Sequence, residues 1–377
     1  MKSTIPFDYL IIGGGLAGLQ LALAFSEDKF FSDKKIGIIE PSAKNANDKT
    51  WCFWEKGRGK WESILHHQWN DGFFKSKKEE LPLSMGNYSY KMIRSATFYE
   101  FAKNTLANCG NIEWIQDEVI SVENNYCTGK KSRYNAAVVF DSRISPDFFT
   151  NNKHIHIKQP FKGWLIKTDD PQFNPKQFTM MDYSLNYKDY CCFTYVLPTS
   201  AKEALIEFTF FIPELVDDAV YDGLLKKYIN EQLEVDNYSI SEVEQGIVPM
   251  SSYPFWKENT NNYLKIGTAG GWVKSSSGYS FKSTERKVAK VLENIKAGKR
   301  LDMGLFSKKH QFYDRIMLRV LQNENEFGKE LFKTMYFKNS TAQIFKFLDE
   351  ATTFAEEIKI INRFKKAPFL RSLMKEI

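Results

Sequence analysis

Hydrophobic positions along the chain change period several times, and each change marks an element. Residues 8–12 form a short apolar run that predicts a buried strand. After three glycines, an apolar stretch over 16–25 predicts a helix, and residues 35–40 predict a second buried strand. Strand, glycine turn, helix and strand in this order make a βαβ unit, the opening of a parallel sheet with a right-handed crossover. Residues 42–90 are polar, with Trp51, Trp54, Trp61 and Trp69 scattered among them and no clear period. They read as loops and short elements passing over the core. A helix is expected over 96–107, and strands that rejoin the parallel sheet over 112–140.

The middle of the chain alternates in strand-like runs at 163–167, 178–183, 190–197 and 204–211, with turn chemistry at Pro198, Thr199 and Ser200. This predicts a second, antiparallel sheet. Helical spacing of Val220, Leu224, Leu225, Tyr228, Ile229 and Leu233 predicts a helix over 217–233. After a strand at 263–266 the pattern turns helical. There Ser340 and Gln343 form a capping box ahead of Ile344, Phe347, Ala351, Phe354, Ile358 and Ile361. The reading is an α/β fold. A Rossmann-like parallel sheet is expected from 1–150 and 240–300, an inserted antiparallel substrate sheet from 151–239, and a helical C-terminal region from 301–377.

Composition narrows this picture. A net charge of +6, spread over 52 basic and 46 acidic residues, is too dilute for a nucleic-acid partner but suits an anionic membrane surface. The longest uncharged run, 9–26, is interrupted by glycines and Gln20 and has only Lys2 as a positive flank, so it is read as neither signal peptide nor membrane span. Five cysteines without a C-x-x-C pair suit reduced thiols and give no zinc site, and no metal is expected. Thirty-one phenylalanines and eight tryptophans fit either a well-filled core or a wide apolar cavity for a long hydrophobic ligand.

The chemistry begins at Gly13, Gly15 and Gly18, a G-x-G-x-x-G with Leu16 and Ala17 inside it, set between strand and helix. Its glycines serve the turn, the close approach of a pyrophosphate and helix packing, while the helix N-terminus favours the anion. Glu40, ending the second strand, is placed for ribose hydroxyls, and no arginine follows Pro41 and Ser42 to favour a 2'-phosphate. A late cluster, Gly267, Thr268, Ala269, Gly270 and Gly271, follows a strand and precedes Ser276, Ser277, Gly278 and Tyr279. It is similar to the turn that brings a second helix N-terminus to the flavin in monooxygenases, with Thr268 where an aspartate is usual. That favours FAD over NAD.

Further stretches carry a more specific resemblance. They are Thr50, Trp51, Cys52 and Phe53; Phe140, Asp141, Ser142 and Arg143; Gln159, Phe161 and Gly163; and Met181, Asp182 and Tyr183. With them stand Phe193, Tyr195 and Pro198 as an F-x-Y-x-x-P, and Glu244, Gly246, Pro249 and Met250 as an E-x-G-x-x-P-M. Together they resemble the FAD-dependent lycopene cyclases of bacteria and plants from residue 8 to about 285. The segment Leu205, Ile206, Glu207, Phe208 and Thr209 is similar to that family's acidic box, with Phe208 at its second, usually acidic, position.

The resemblance implies an intramolecular lyase or isomerase that closes β-ionone rings on lycopene or another linear carotene. Glu207 would be the catalytic acid, with Asp182 as a second acidic candidate. FAD would act in its reduced form, with NADPH or NADH as reductant. Alternation puts Glu207 on the face of Leu205 and Thr209, opposite Ile206, Phe208 and Phe210. From the strand alone Glu207 is either solvent-facing or cavity-lining, and the resemblance favours the cavity. An insoluble substrate and the absence of a spanning run imply a cytoplasmic enzyme, peripheral on the cytoplasmic membrane. The basic, aromatic stretch 361–377 either docks there or packs on its own protein. Two alternatives share the nucleotide motifs: an FAD-dependent monooxygenase or reductase acting on an isoprenoid, and a carotenoid-binding flavoprotein without activity.

Overall fold

The structure, a computed structural model, describes residues 4–77 and 79–375. Thr4–Ile12 becomes fully buried toward its C-terminal end, because it is the centre of a parallel sheet covered on both faces. Ile36–Ile39 pairs with it on one side and Arg133–Asp141 on the other, all parallel, and Ile112–Ile115 extends the sheet beyond Ile36–Ile39. Tyr263–Lys265 runs parallel to the C-terminal end of Arg133–Asp141, whose N-terminal half pairs antiparallel with Tyr126–Gly129. The helix Leu16–Glu27 is apolar nearly all round. It is wedged between this sheet and the helix Phe281–Lys296, so Leu19, Leu23 and Phe25 share one core with Val288, Val291 and Leu292.

A second sheet runs in the order Ser239–Ser251, His156–Lys167, Glu203–Phe211, Cys191–Pro198, Gln177–Tyr183, Asp71–Ser76 and Glu79–Pro82. Its pairs are antiparallel except that between Gln177–Tyr183 and Asp71–Ser76. A small third sheet joins Thr50–Lys56, Tyr88–Arg94 and His67–Trp69. Helix Asp218–Gln232 covers one face of the large sheet, and the C-terminal helices cover part of the other.

The α/β architecture is the expected one, with differences in detail. The polar stretch 42–90 holds four strands and the start of a fifth, and two of the four complete the large sheet. Its tryptophans hid the strand period because Trp54, Trp61 and Trp69 are all buried anchors of the cores. Ser239–Ser251, read from sequence with the nucleotide sheet, pairs along its whole length with His156–Lys167 in the large sheet. The capping box at Ser340 and Gln343 is present, yet the pattern it opens is two helices, Thr341–Leu348 and Phe354–Ile361, and Thr353 with Glu356 forms a second box between them.

Candidate active site

The glycine turn forms as its spacing implies. Gly13 has φ +104°, and a Cβ there would stand 2.0 Å from Ser142 Oγ. A Cβ at Gly18 would stand 2.0 Å from the Gly13 carbonyl oxygen. At Gly15 a Cβ would meet no atom within 4 Å, because the space above it is an open cavity. Gly15 is the N-cap of helix Leu16–Glu27, with no side-chain cap and no acidic residue in the first turn, so the free N–H groups of that turn suit an anion. Glu40 lies beside the turn rather than on the cavity wall. Its Oε2 accepts from the Gly14 N–H at 2.7 Å and its Oε1 from the Ser42 hydroxyl at 2.6 Å.

The late glycine cluster reaches the same place by a different route from that expected. Gly267–Gly270 is a single 3-10 turn, and the helix Phe281–Lys296 starts only after the loop 271–280. Gly267 and Thr268 line the cavity, and a Cβ at Gly267 would come 3.1 Å from that of Ala17, so the two glycine turns face each other. Ala269 and Gly270 are buried behind them. Their part is steric: a Cβ at Gly270 would stand 2.2 Å from the Lys265 carbonyl oxygen.

From Gly15, Leu16, Ala17 and Gly18 this cavity, about 550 Å³, extends to Glu207 and Glu244 on the large sheet. The register explains how two glutamates meet there. Glu244 is paired with Gly163, Gly163 with Glu207, and Glu207 with Tyr195, one row across four strands. Side chains in one row share a face. Gly163 has none, so the two carboxyl groups face each other across it. Glu207 is thus on a central strand and on the cavity side. Ile206, Phe208 and Phe210 point to the opposite face and pack on Tyr221, Leu225 and Tyr228. Phe208 therefore occupies a position from which no side chain reaches the cavity, and the second carboxylate comes from Glu244, two strands away.

Burial on the cavity wall pushes the Glu207 carboxyl up to about 8; the Glu244 carboxylate adds to this, and a hydrogen bond donated by the Thr209 hydroxyl at 2.9 Å opposes it. Glu244 is itself held by Thr50, whose N–H and hydroxyl donate at 2.8 and 2.5 Å. Sequence reasoning quoted Glu244 and Thr50 as motif residues without giving them a role. The signal was their residue type, an acid and a hydroxyl in two motifs 194 residues apart. Asp182 is not brought to the cavity. It is buried between strand and helix, where the Ser184 N–H donates at 2.8 Å and the Tyr228 hydroxyl at 2.7 Å.

A second cavity of about 340 Å³ meets the first at Gln159, Tyr195, Ser277 and Tyr279. Its walls are almost wholly apolar, from Met180, Phe211, Phe332, Met335, Phe364 and Leu373. Three phenols mark the junction, with Tyr279 O–H 3.3 Å from that of Tyr90 and 3.5 Å from that of Tyr195. Burial pushes the Tyr279 phenol up to about 12, so it is neutral in the working range.

A Rossmann sheet with an unobstructed glycine cradle and a large antiparallel sheet over the cavity define the class, the fold of FAD-dependent reductases and halogenases. It aligns with a geranylgeranyl bacteriochlorophyll reductase-like protein of Thermoplasma acidophilum over all of both chains, with TM-score 0.63 and 13% identity. With the flavin-dependent brominase Bmp2 the TM-score is 0.61 at 12% identity, over 98% of this chain and 99% of the other. With a tryptophan halogenase of Shewanella frigidimarina it is 0.59 at 11%, over 98% and 92%. No curated protein matches the sequence. The family model described as lycopene cyclase protein matches residues 8–374, and the chain belongs to that family.

Proposed function

We propose that the protein is a lycopene cyclase, which closes β-ionone rings on linear lycopene or another linear carotene by acid catalysis, with Glu207 as the acid. The observation that carries this reading is a carboxyl raised to about 8 on the wall of the cavity that starts at the glycine cradle, paired across strands with Tyr195, which lines both that cavity and the apolar one. Glu207 is protonated at neutral pH and gives its proton to the terminal alkene carbon of the substrate. The tertiary carbocation formed is attacked by the neighbouring double bond. Loss of a proton back to the Glu207 carboxylate completes an isomerisation in which no electrons are gained or lost. Tyr195, Tyr279, Trp51 and Phe281 give the wall electron-rich faces that attract such a cation and exclude water.

The residues fit FAD. The open space over Gly15, the uncapped helix and the facing Gly267 turn would hold the pyrophosphate, and Gln159, whose buried Oε1 has no partner among the described residues, is an acceptor on the same wall. When bound, reduced FAD would supply electron density to stabilise the cation, with NADPH or NADH as the reductant that would keep it reduced. The apolar cavity is the reading's route for the polyene. Its outer wall is helix Lys366–Met374, where Leu370 and Met374 are exposed beside Lys365, Lys366 and Arg371, a pattern suited to lying on an anionic bilayer. No helix among the described residues is long and apolar enough to cross a membrane.

Expression in a lycopene-accumulating bacterium tests this reading: cyclised pigment is the expected product, and its absence with a folded, flavin-loaded protein ends the proposal. A redox reaction on an isoprenoid is the competing reading, since the fold is shared with a reductase-like protein. One NAD(P)H consumed per product formed would establish it instead.

A further inference from the structure

Outside the two cavities lies a third, about 270 Å³, between the helices Phe281–Lys296 and Lys308–Asn323. It touches the first cavity through shared walls at Cys52, Val273, Tyr279 and Phe281. Its character is cationic. Most of its charged groups are matched: Lys274 pairs with Asp314 and Glu350, Lys282 with Glu55 and Glu285, Arg286 with Asp349, and Lys290 with Glu293. Lys287 is the exception. Its Nζ hydrogen-bonds the Ser283 hydroxyl at 2.8 Å and makes no ion pair among the described residues. Burial pushes its ammonium down to about 8, with Arg286 and Lys274 adding to this and Glu350 and Asp314 opposing it. An unmatched, half-buried cation of this kind is stabilised by an incoming anion.

The wall beside it is aromatic. Lys287 Nζ stands 5.6 Å from the centre of the Phe306 ring, and Trp256, 38% exposed, packs on Phe306 with centroids 5.4 Å apart. A cation and a partly open indole on one wall match a ligand with a phosphate at one end and a flat base at the other. A carotene has neither. The volume suits one half of a dinucleotide.

We propose that this cleft is a second nucleotide site, separate from the glycine cradle, which takes the phosphate and adenine end of the reduced pyridine nucleotide. The identity of that nucleotide rests on the reading that the enzyme needs a reductant; the binding itself does not.

Calorimetric titration of the FAD-loaded protein with NADPH, NADH, ADP and inorganic phosphate tests it. The expected result is saturable one-site binding of a pyridine nucleotide in competition with ADP, and at least tenfold weaker binding in Lys287→Met and Trp256→Ala proteins of unchanged FAD content. Nucleotides that bind no better than inorganic phosphate would overturn the proposal, as would unchanged affinity in both folded variants. If one variant fails to fold, the other decides. Failure in a protein that still cyclises lycopene would sink the site and leave the proposed activity standing.

Discussion

Glu207 and Asp182 sit on the same large sheet, yet their surroundings differ in kind. Asp182 is closed in by the Ser184 N–H and hydroxyl and by the Tyr228 hydroxyl, the last of which ties strand Gln177–Tyr183 to helix Asp218–Gln232. Glu207 accepts a hydrogen bond from the Thr209 hydroxyl and faces open cavity and a second carboxylate. A carboxylate supplied with donors is a structural joint; one left short of them binds a proton more tightly and can pass it on. Asp182 is closed off and supplied with donors, whereas Glu207 lines a cavity with few, and that difference suits Glu207 to chemistry.

The comparison breaks most directly at Glu207. Glu207→Gln keeps size and removes the transferable proton, so cyclisation in lycopene-accumulating cells should fall about a hundred- to ten-thousandfold while FAD stays bound. Glu207→Asp withdraws the carboxyl by one methylene and should leave weak residual activity. A fully active Gln variant would place the acid elsewhere. Gly15→Val should abolish the flavin absorbance without unfolding the protein, since a side chain there enters only the cavity; a folded variant that stays yellow would refute the cradle. Asp182→Asn should show the opposite profile from Glu207→Gln. Loss of an acceptor from the Ser184 and Tyr228 donors costs about 1–3 kcal/mol of stability, read by denaturant unfolding, with per-molecule turnover kept.

Smaller effects lie in pH. The carboxyl raised to about 8 predicts cyclisation that is constant near neutrality and falls as pH rises through about 8. Glu244→Gln removes the neighbouring carboxylate and should move that fall to lower pH. The same linkage affects stability. A raised carboxyl pKa makes the native state hold a proton that the unfolded chain has released, so the Glu207 contribution is present below the ordinary glutamate value and is lost as pH rises toward 8. Glu207→Gln should therefore raise Tm at pH 8.5 relative to the parent and change it little at pH 4.

Much of the site was legible where chemistry is local. A G-x-G-x-x-G after an apolar strand needs only its own backbone to form a cradle, and the alternation over 204–211 put Glu207 and Phe208 on opposite faces before any partner strand was known. The period-two rule holds wherever a strand has one face on a core. It was lost over 42–90, where buried tryptophans interrupt polar runs and the strands draw their partners from distant segments. Glu40 was correctly set at the end of its strand, but its position beside Gly14 and Ser42, off the cavity wall, depends on how the turn closes.

What the sequence by itself determined is the set of local elements and the faces of their side chains, because turn chemistry, periodicity and capping act between residues a few positions apart. Tertiary structure alone decided which acids meet. The row Glu244, Gly163, Glu207 and Tyr195 exists only because Ser239–Ser251 returns to the far side of His156–Lys167 in one register. A slip of one residue in that register would turn Glu244 to the other face. The proton affinity of Glu207 is likewise a property of the assembled cavity, since burial and the charge of a residue on another strand are absent from any isolated segment.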